Sequence, residues 1–157
     1  MFIKYKDNAI INLTNVSNVF IDRKNNKVIF NMNYTVKLSD ALTPDYEYWF
    51  FDDLEEIVKI IDDALIRAKF ITPNNIYNRY VNPKCVASIK IDDRNKKVIF
   101  NLNSTVTHPD DARKIAEGQS IPLHKQKLTS DFVFIKFNNT DEFYEYLEQI
   151  EELYSVI

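Results

Sequence analysis

Residues 21–36, IDRKNNKVIFNMNYTV, return at residues 91–106 as IDDRNKKVIFNLNSTV, with 11 of 16 positions identical at a constant offset of 70. A repeat of this kind reports how a fold is assembled and is silent on what it binds. In the first copy Val28, Phe30, Met32, Tyr34 and Val36 alternate with Ile29, Asn31, Asn33 and Thr35, the period of two that marks a strand with one buried face. The second copy keeps the pattern, with Val98, Phe100, Leu102 and Val106 set against Asn101, Asn103 and Thr105. Upstream, Ser17, Val19 and Ile21 match Ala87, Ile89 and Ile91 as the inward face of a preceding strand, so each copy is predicted to hold a hairpin at its centre. The turns are expected to use Asn25-Asn26 and Asn95, because asparagine tolerates the left-handed conformation in a chain whose one glycine is Gly118.

Outward from the repeat, YEYWFF at 46–51 and DFVFIKF at 131–137 are strand-like runs, each followed at once by a helix signature, now at an offset of 86. Asp52 and Asp53 with Glu55 and Glu56 open the first helix, and Leu54, Ile57, Val58, Ile61 and Leu65 form its apolar stripe. Asn139 or Thr140 opens the second, with Phe143, Leu147, Ile150 and Tyr154 along one side. Phe2 to Lys6, Ile10 to Leu13 and Ile76 to Val81 read as further short strands. The change of offset gives the second copy 16 extra residues near 107–130, in which Pro109, Asp110, Asp111 and Gly118 predict a short helix at 109–117. The expected fold is α+β: a tandem repeat of an antiparallel β-meander of three to four strands followed by an α-helix, at 1–70 and 71–157. Copies of about 70 residues are marginal alone, so they are expected to share a core as one pseudo-twofold domain, the turn-like stretch Thr72-Pro73-Asn74-Asn75 marking the boundary.

Hydrophobic residues make up 45% of the 157-residue chain and net charge is −3, which argues for a packed globule and gives no global pull towards nucleic acid. Without a signal-like apolar run or a window of 18 uncharged apolar residues, the reading is a soluble, cytoplasmic protein with no membrane partner. Richness in Ile, Lys and Asn is the bacterial-like composition that an AT-rich genome gives.

No Walker loop, dinucleotide turn, Cys-X-X-Cys, His-Glu-X-X-His or nucleophile elbow is present, so no enzyme, cofactor or metal site is expected. His108 and His124 share the insertion with Asp110 and Asp111, in a spacing that matches no ligand pattern, and read as loop residues. Cys85 has no activating histidine nearby in sequence and reads as a small buried hydrophobe.

Charge is distributed unevenly. Segments 52–69 and 139–157 hold 12 acids and 3 bases, leaving 17 bases against 11 acids elsewhere. With the helices on one side of a sheet, the other side carries the candidate binding surface: Asn31, Asn33, Thr35, Asn101, Asn103, Thr105, Lys90 and Lys136. Tyr46, Tyr48, Phe50, Phe132 and Phe134 are its aromatic neighbours, and their number favours a covered face, packed against the other copy or in contact with a protein partner. The expected function is a non-enzymatic interaction module that binds protein or self-associates. The alternative is sequence-tolerant binding of single-stranded nucleic acid across the aromatic, amide and basic face. In layout alone the tandem of strands ending in a helix is similar to the PUR and whirly families of single-strand binders, whose copies pair into one pseudo-symmetric module, and to bacterial PH-like domains. No motif of these families is shared, and the resemblance assigns no residue.

Overall fold

The computed structural model describes residues 1–5, 9–72 and 77–153, an α+β chain with antiparallel sheets and three α-helices. Strands β1 (Phe2–Tyr5) and β2 (Ala9–Asn12) form a two-stranded ribbon. A four-stranded sheet runs in the order β5 (Ala41–Phe50), β4 (Lys27–Leu38), β3 (Val16–Asp22), β6 (Arg79–Val81). A three-stranded sheet runs β7 (Val86–Asp92), β8 (Lys97–Thr107), β9 (Leu128–Lys136). Helix α1 (Leu54–Arg67) follows β5, α2 (Pro109–Ala116) lies in the insertion, and α3 (Thr140–Glu151) follows β9. The expected boundary turn at Pro73–Asn75, the start of a strand at Ile76, Lys6 and Tyr154 lie outside the described residues.

The two central hairpins pair in the same register. Val19 opposes Phe30 and Ile21 opposes Val28, as Ile89 opposes Phe100 and Ile91 opposes Val98. Both carry a bulge at the same place, between Val16 and Asn18 and between Val86 and Ser88, and both lose pairing to the next strand over matched stretches, Asn31 to Thr35 and Asn101 to Thr105. Asp53 accepts from the Glu56 amide and Asn139 from the Glu142 amide, so each helix starts where its side-chain cap satisfies an otherwise orphaned N–H. Period-2 alternation then points Val19, Ile21, Val28, Phe30 and Trp49 towards Val58, Ile61 and Leu65 of α1, and Val98, Phe100 and Ile135 towards Phe143, Tyr146 and Ile150 of α3.

Three expectations change. The turns place Asn26 and Lys96, not Asn95, in the left-handed region, both at φ 51°. Asn25 and Asn95 instead clamp the preceding Asp22 and Asp92 through side-chain bonds of 2.8 Å, holding both carboxyls below their usual range. Lys96 tolerates the strained backbone with its ammonium 5.1 Å from the Tyr144 ring and 3.4 Å from Asp93. Second, the buried side chains form two clusters and not one shared core. They meet at β6, whose Tyr80 belongs to the first and Val81 to the second, because adjacent strand residues face opposite ways. Third, the aromatic rows of β5 and β9 are not buried between the halves: Tyr46, Tyr48, Phe50, Phe132 and Phe134 are each 46–58% exposed.

The insertion does form a helix, capped by His108, whose Nδ1 accepts from the Asp110 amide (3.2 Å), and closed by Gly118 at φ 94°. Asp111 accepts from the Lys127 amide at 2.7 Å, and Gln126 donates to the carbonyls of Asp40 (2.7 Å) and Ile121 (2.8 Å). Thr107 completes the link by accepting from the Leu42 amide and donating to Gln126, both at 2.8 Å. The extra segment thus ties the β4–β5 turn to the end of β8.

Candidate binding surface

On β5, Trp49 points inward with its ring 4.9 Å from Phe30, and its indole N–H donates to the exposed Glu47 on the same side of the strand at 3.2 Å. Strand alternation therefore sends Tyr46, Tyr48 and Phe50 outward in a row. Tyr46 and Tyr48 stack at 6.0 Å and 25°, and Phe50 meets Tyr48 edge-on at 5.4 Å. Lys27, opposite Phe50 on β4, holds its ammonium 5.3 Å over the Tyr48 ring. On β9 the same geometry recurs. Val133 and Ile135 turn inward, Phe132 and Phe134 outward, and Lys97 sits 4.0 Å over the Phe134 ring. A cation over an aromatic face contributes about 0.5–1 kcal/mol at an exposed site, and it orients the lysine without consuming all its hydrogen-bonding capacity.

Between the outer face of the four-stranded sheet and β9 runs an open groove of about 340 Å³, lined by Asn18, Phe20, Ile29, Asn31, Arg79 and Asp131 among others. Arg79 reaches into it from β6, donates to Asn18 Oδ1 at 2.8 Å and lies 4.6 Å over the Phe20 ring. Burial pushes the guanidinium down from its ordinary value and the Asp131 carboxyl up, while each charge opposes the other's shift. Asp131 also accepts from the Phe132 amide at 2.9 Å, as Asp45 does from Tyr46 at 3.0 Å. The groove is a polar-lined, aromatic-walled cleft with one cation and one anion held at partial burial.

The eight candidate surface residues fall in separate places. Asn31 lies in the groove and donates to Asn18 Oδ1 at 3.0 Å; Asn101 donates to Ser88 Oγ at 3.0 Å, so both amides tie adjacent strands beside the bulges. Asn33 and Asn103 come together at a small pocket with Ser17, Lys84 and Cys85, where Asn103 donates to the Lys84 carbonyl at 3.4 Å. Thr35 and Thr105 stand opposite Pro44 and Ser130 where strand pairing resumes. Lys90 is exposed on β7, and Lys136 is exposed on β9 at a separate pocket that shares Phe20, Arg79 and Phe132 with the groove. Sequence reasoning missed Arg79, Asn18, Lys27 and Lys97. Only the last two left a signal, since the lysine before Val-Ile-Phe is one of the identical repeat positions.

Elsewhere, burial raises the Cys85 thiol above its ordinary value, which suits a packed side chain and not a nucleophile. Among the described residues no group of three or more His, Cys, Asp or Glu side chains is placed to hold a metal ion, and no helix is long and apolar enough to cross a membrane. No family model, curated protein or solved structure matches this chain.

Proposed function

We propose that this chain is a non-enzymatic interaction module of the cytoplasm that binds protein, a second copy of itself included, through the outer aromatic face of β5 and β9. The single observation that carries the reading is the pair of outward aromatic rows, Tyr46, Tyr48 and Phe50 on β5 and Phe132 and Phe134 on β9, all about half exposed. Rings held in rigid strands, with little side-chain entropy left to lose, are the usual anchors of protein interfaces, and the three mutually packed rings of β5 are contiguous, not scattered. In this reading the two repeats act as one domain, related by an approximate twofold that the matched registers support and from which β6 departs. The test is a double variant, Tyr48→Ser with Phe134→Ser, compared with the parent by sedimentation velocity over a concentration series and by co-purification from cells. The variant should keep the parent's circular dichroism and lose associated protein. Unchanged association would remove the aromatic face from consideration.

A second reading, single-stranded nucleic acid bound across the same face, is favoured by the lysine-over-ring pairs Lys27–Tyr48 and Lys97–Phe134, with Lys90 and Lys136 nearby. Bases stack on aromatic faces while ammonium groups take phosphates, so affinity for labelled oligothymidine should fall steeply with added salt. It should also weaken in Lys97→Ala and Lys136→Ala. Absent or salt-independent binding disposes of this reading.

A further inference from the structure

The outer edges of β3 and β7 differ in one respect: the first is occupied. Arg79, Tyr80 and Val81 lie antiparallel to Phe20, Val19 and Asn18. The Ile21 amide donates to the Asn78 carbonyl and the Asn82 amide to the Ser17 carbonyl, both at 2.8 Å, and the Asn82 side chain donates to the Val16 carbonyl at 2.9 Å. Ser17, Asn18, Val19 and Ile21 are consequently at most 1% exposed, and Tyr80 is fully buried with its hydroxyl donating to Asp62 of α1 at 2.6 Å. β7 repeats the bulge and the pairing with its inner neighbour, yet among the described residues no strand covers its other edge. Ala87, Ser88 and Lys90 are exposed and Ile91 is 43% exposed. Beside Ile89 a pocket of about 230 Å³, floored by Phe100 and walled by Ile71, Val86 and Leu153, stands where the counterpart of Tyr80 would insert.

That counterpart exists in the chain. Asn12 and Asn82 cap 3-10 turns of the same geometry, each at φ −83° and ψ 109°, so Ala9, Ile10 and Ile11 of β2 correspond to Arg79, Tyr80 and Val81 of β6. Val81 faces the core of its own half, and so does Ile11 at 3% exposure. Tyr80 inserts into the other half, whereas Ile10 is 60% exposed, with Phe2 at 66% on the same face of the ribbon.

We propose that β2 of one molecule adds to the β7 edge of a second, repeating between chains the junction that β6 makes with β3 within one. In this register Ala9 stands opposite Lys90, Ile10 opposite Ile89 and Ile11 opposite Ser88, and the Asn12 amide donates to the Ala87 carbonyl. Donor and acceptor edges are different surfaces, so the contact is heterologous and builds head-to-tail assemblies. Without the covalent link that β6 enjoys, association depends on protein concentration. It rests on the reading of the chain as a protein-binding module with itself as partner, but it uses a surface separate from the aromatic face.

The test uses two single-cysteine proteins, Ala9→Cys and Lys90→Cys, each with Cys85→Ala. The matching pair in the occupied junction, Arg79 and Phe20, is one whose strand geometry brings side chains close, so a disulfide is sterically allowed there. Mixed under mild oxidation, the two proteins should give a covalent dimer containing one of each. No dimer, or dimers formed equally by either protein alone, would overturn the proposal. In parallel, Ile10→Lys should weaken self-association in sedimentation by about tenfold or more, the loss expected from one buried isoleucine. Weakening by Tyr48→Ser with Phe134→Ser but not by Ile10→Lys would sink this edge and leave the aromatic reading standing; the reverse result would do the opposite.

Discussion

Two buried tyrosines have opposite accounts. The Tyr80 hydroxyl donates to Asp62, whereas Tyr146, 1% exposed and ringed by Phe137 at 5.3 Å and Phe100 at 6.5 Å, has no hydrogen-bond partner for its hydroxyl among the described residues. Burial pushes the Tyr146 phenol well above its ordinary value. A buried hydroxyl without a partner costs about 1–3 kcal/mol. Tyr146→Phe keeps the ring contacts and should raise the unfolding free energy by about 1 kcal/mol in a urea titration. Tyr80→Phe should lower it by a similar amount. A drop for Tyr146→Phe would mean that its hydroxyl is bonded after all. Sequence cannot separate the two tyrosines, since each is an aromatic in an apolar pattern and what distinguishes them is an aspartate 18 residues away on a helix. Gln126 is illegible for the same reason: its partners, the carbonyls of Asp40 and Ile121, are backbone groups brought to it by the fold.

Local signals do define elements. The caps Asp53 and Asn139, the turn aspartates and the extra helix are each set by residues within four positions of one another, and the chain behaves as they dictate. What composition conceals is where left-handed backbone falls. With one glycine, the left-handed sites fall to Asn26, Ser39, Asp40, Lys69, Asn78 and Lys96 among the described residues. Ser39 and Asp40 form the two-residue turn between Leu38 and Ala41, which demands positive φ at both positions. Lys69, at φ 66°, closes α1 in the place glycine usually takes: the Phe70 amide donates to the Leu65 carbonyl at 2.9 Å, and Phe70 is buried. Lys69→Gly relieves the Cβ strain and should stabilise the protein by about 0.5–1 kcal/mol in thermal or urea unfolding. Equal or lower stability would mean that the lysine side chain compensates through contacts of its own. β6 is the element the pattern could least define. Three residues, Arg-Tyr-Val, carry almost no periodicity, and only its pairing with β3 makes it a strand.

At the scale of the molecule the repeat made the central hairpins readable, but alternation says only that a strand has two faces and not which of them is covered. That is why the aromatic rows, which could equally have packed between the copies, stand in solvent, and why a single core was expected where two exist. The two cores are still physically joined. β6 places Tyr80 in one and Val81 in the other, and Gln126 links the insertion to the β4–β5 turn. Either half therefore loses part of its core or its edge pairing when the other opens, so unfolding should be a single coupled transition. Trp49, the chain's one tryptophan, reports on the first core, and Phe100 lies in the second. Phe100→Ala should cost about 3–5 kcal/mol. If the halves are coupled, Trp49 fluorescence and far-ultraviolet circular dichroism will move together to the same lower urea midpoint, although the mutation is in the other core. A Trp49 transition that keeps the parent midpoint while part of the circular dichroism signal is lost early would show that the halves melt separately and that β6 is too small a bridge to bind them.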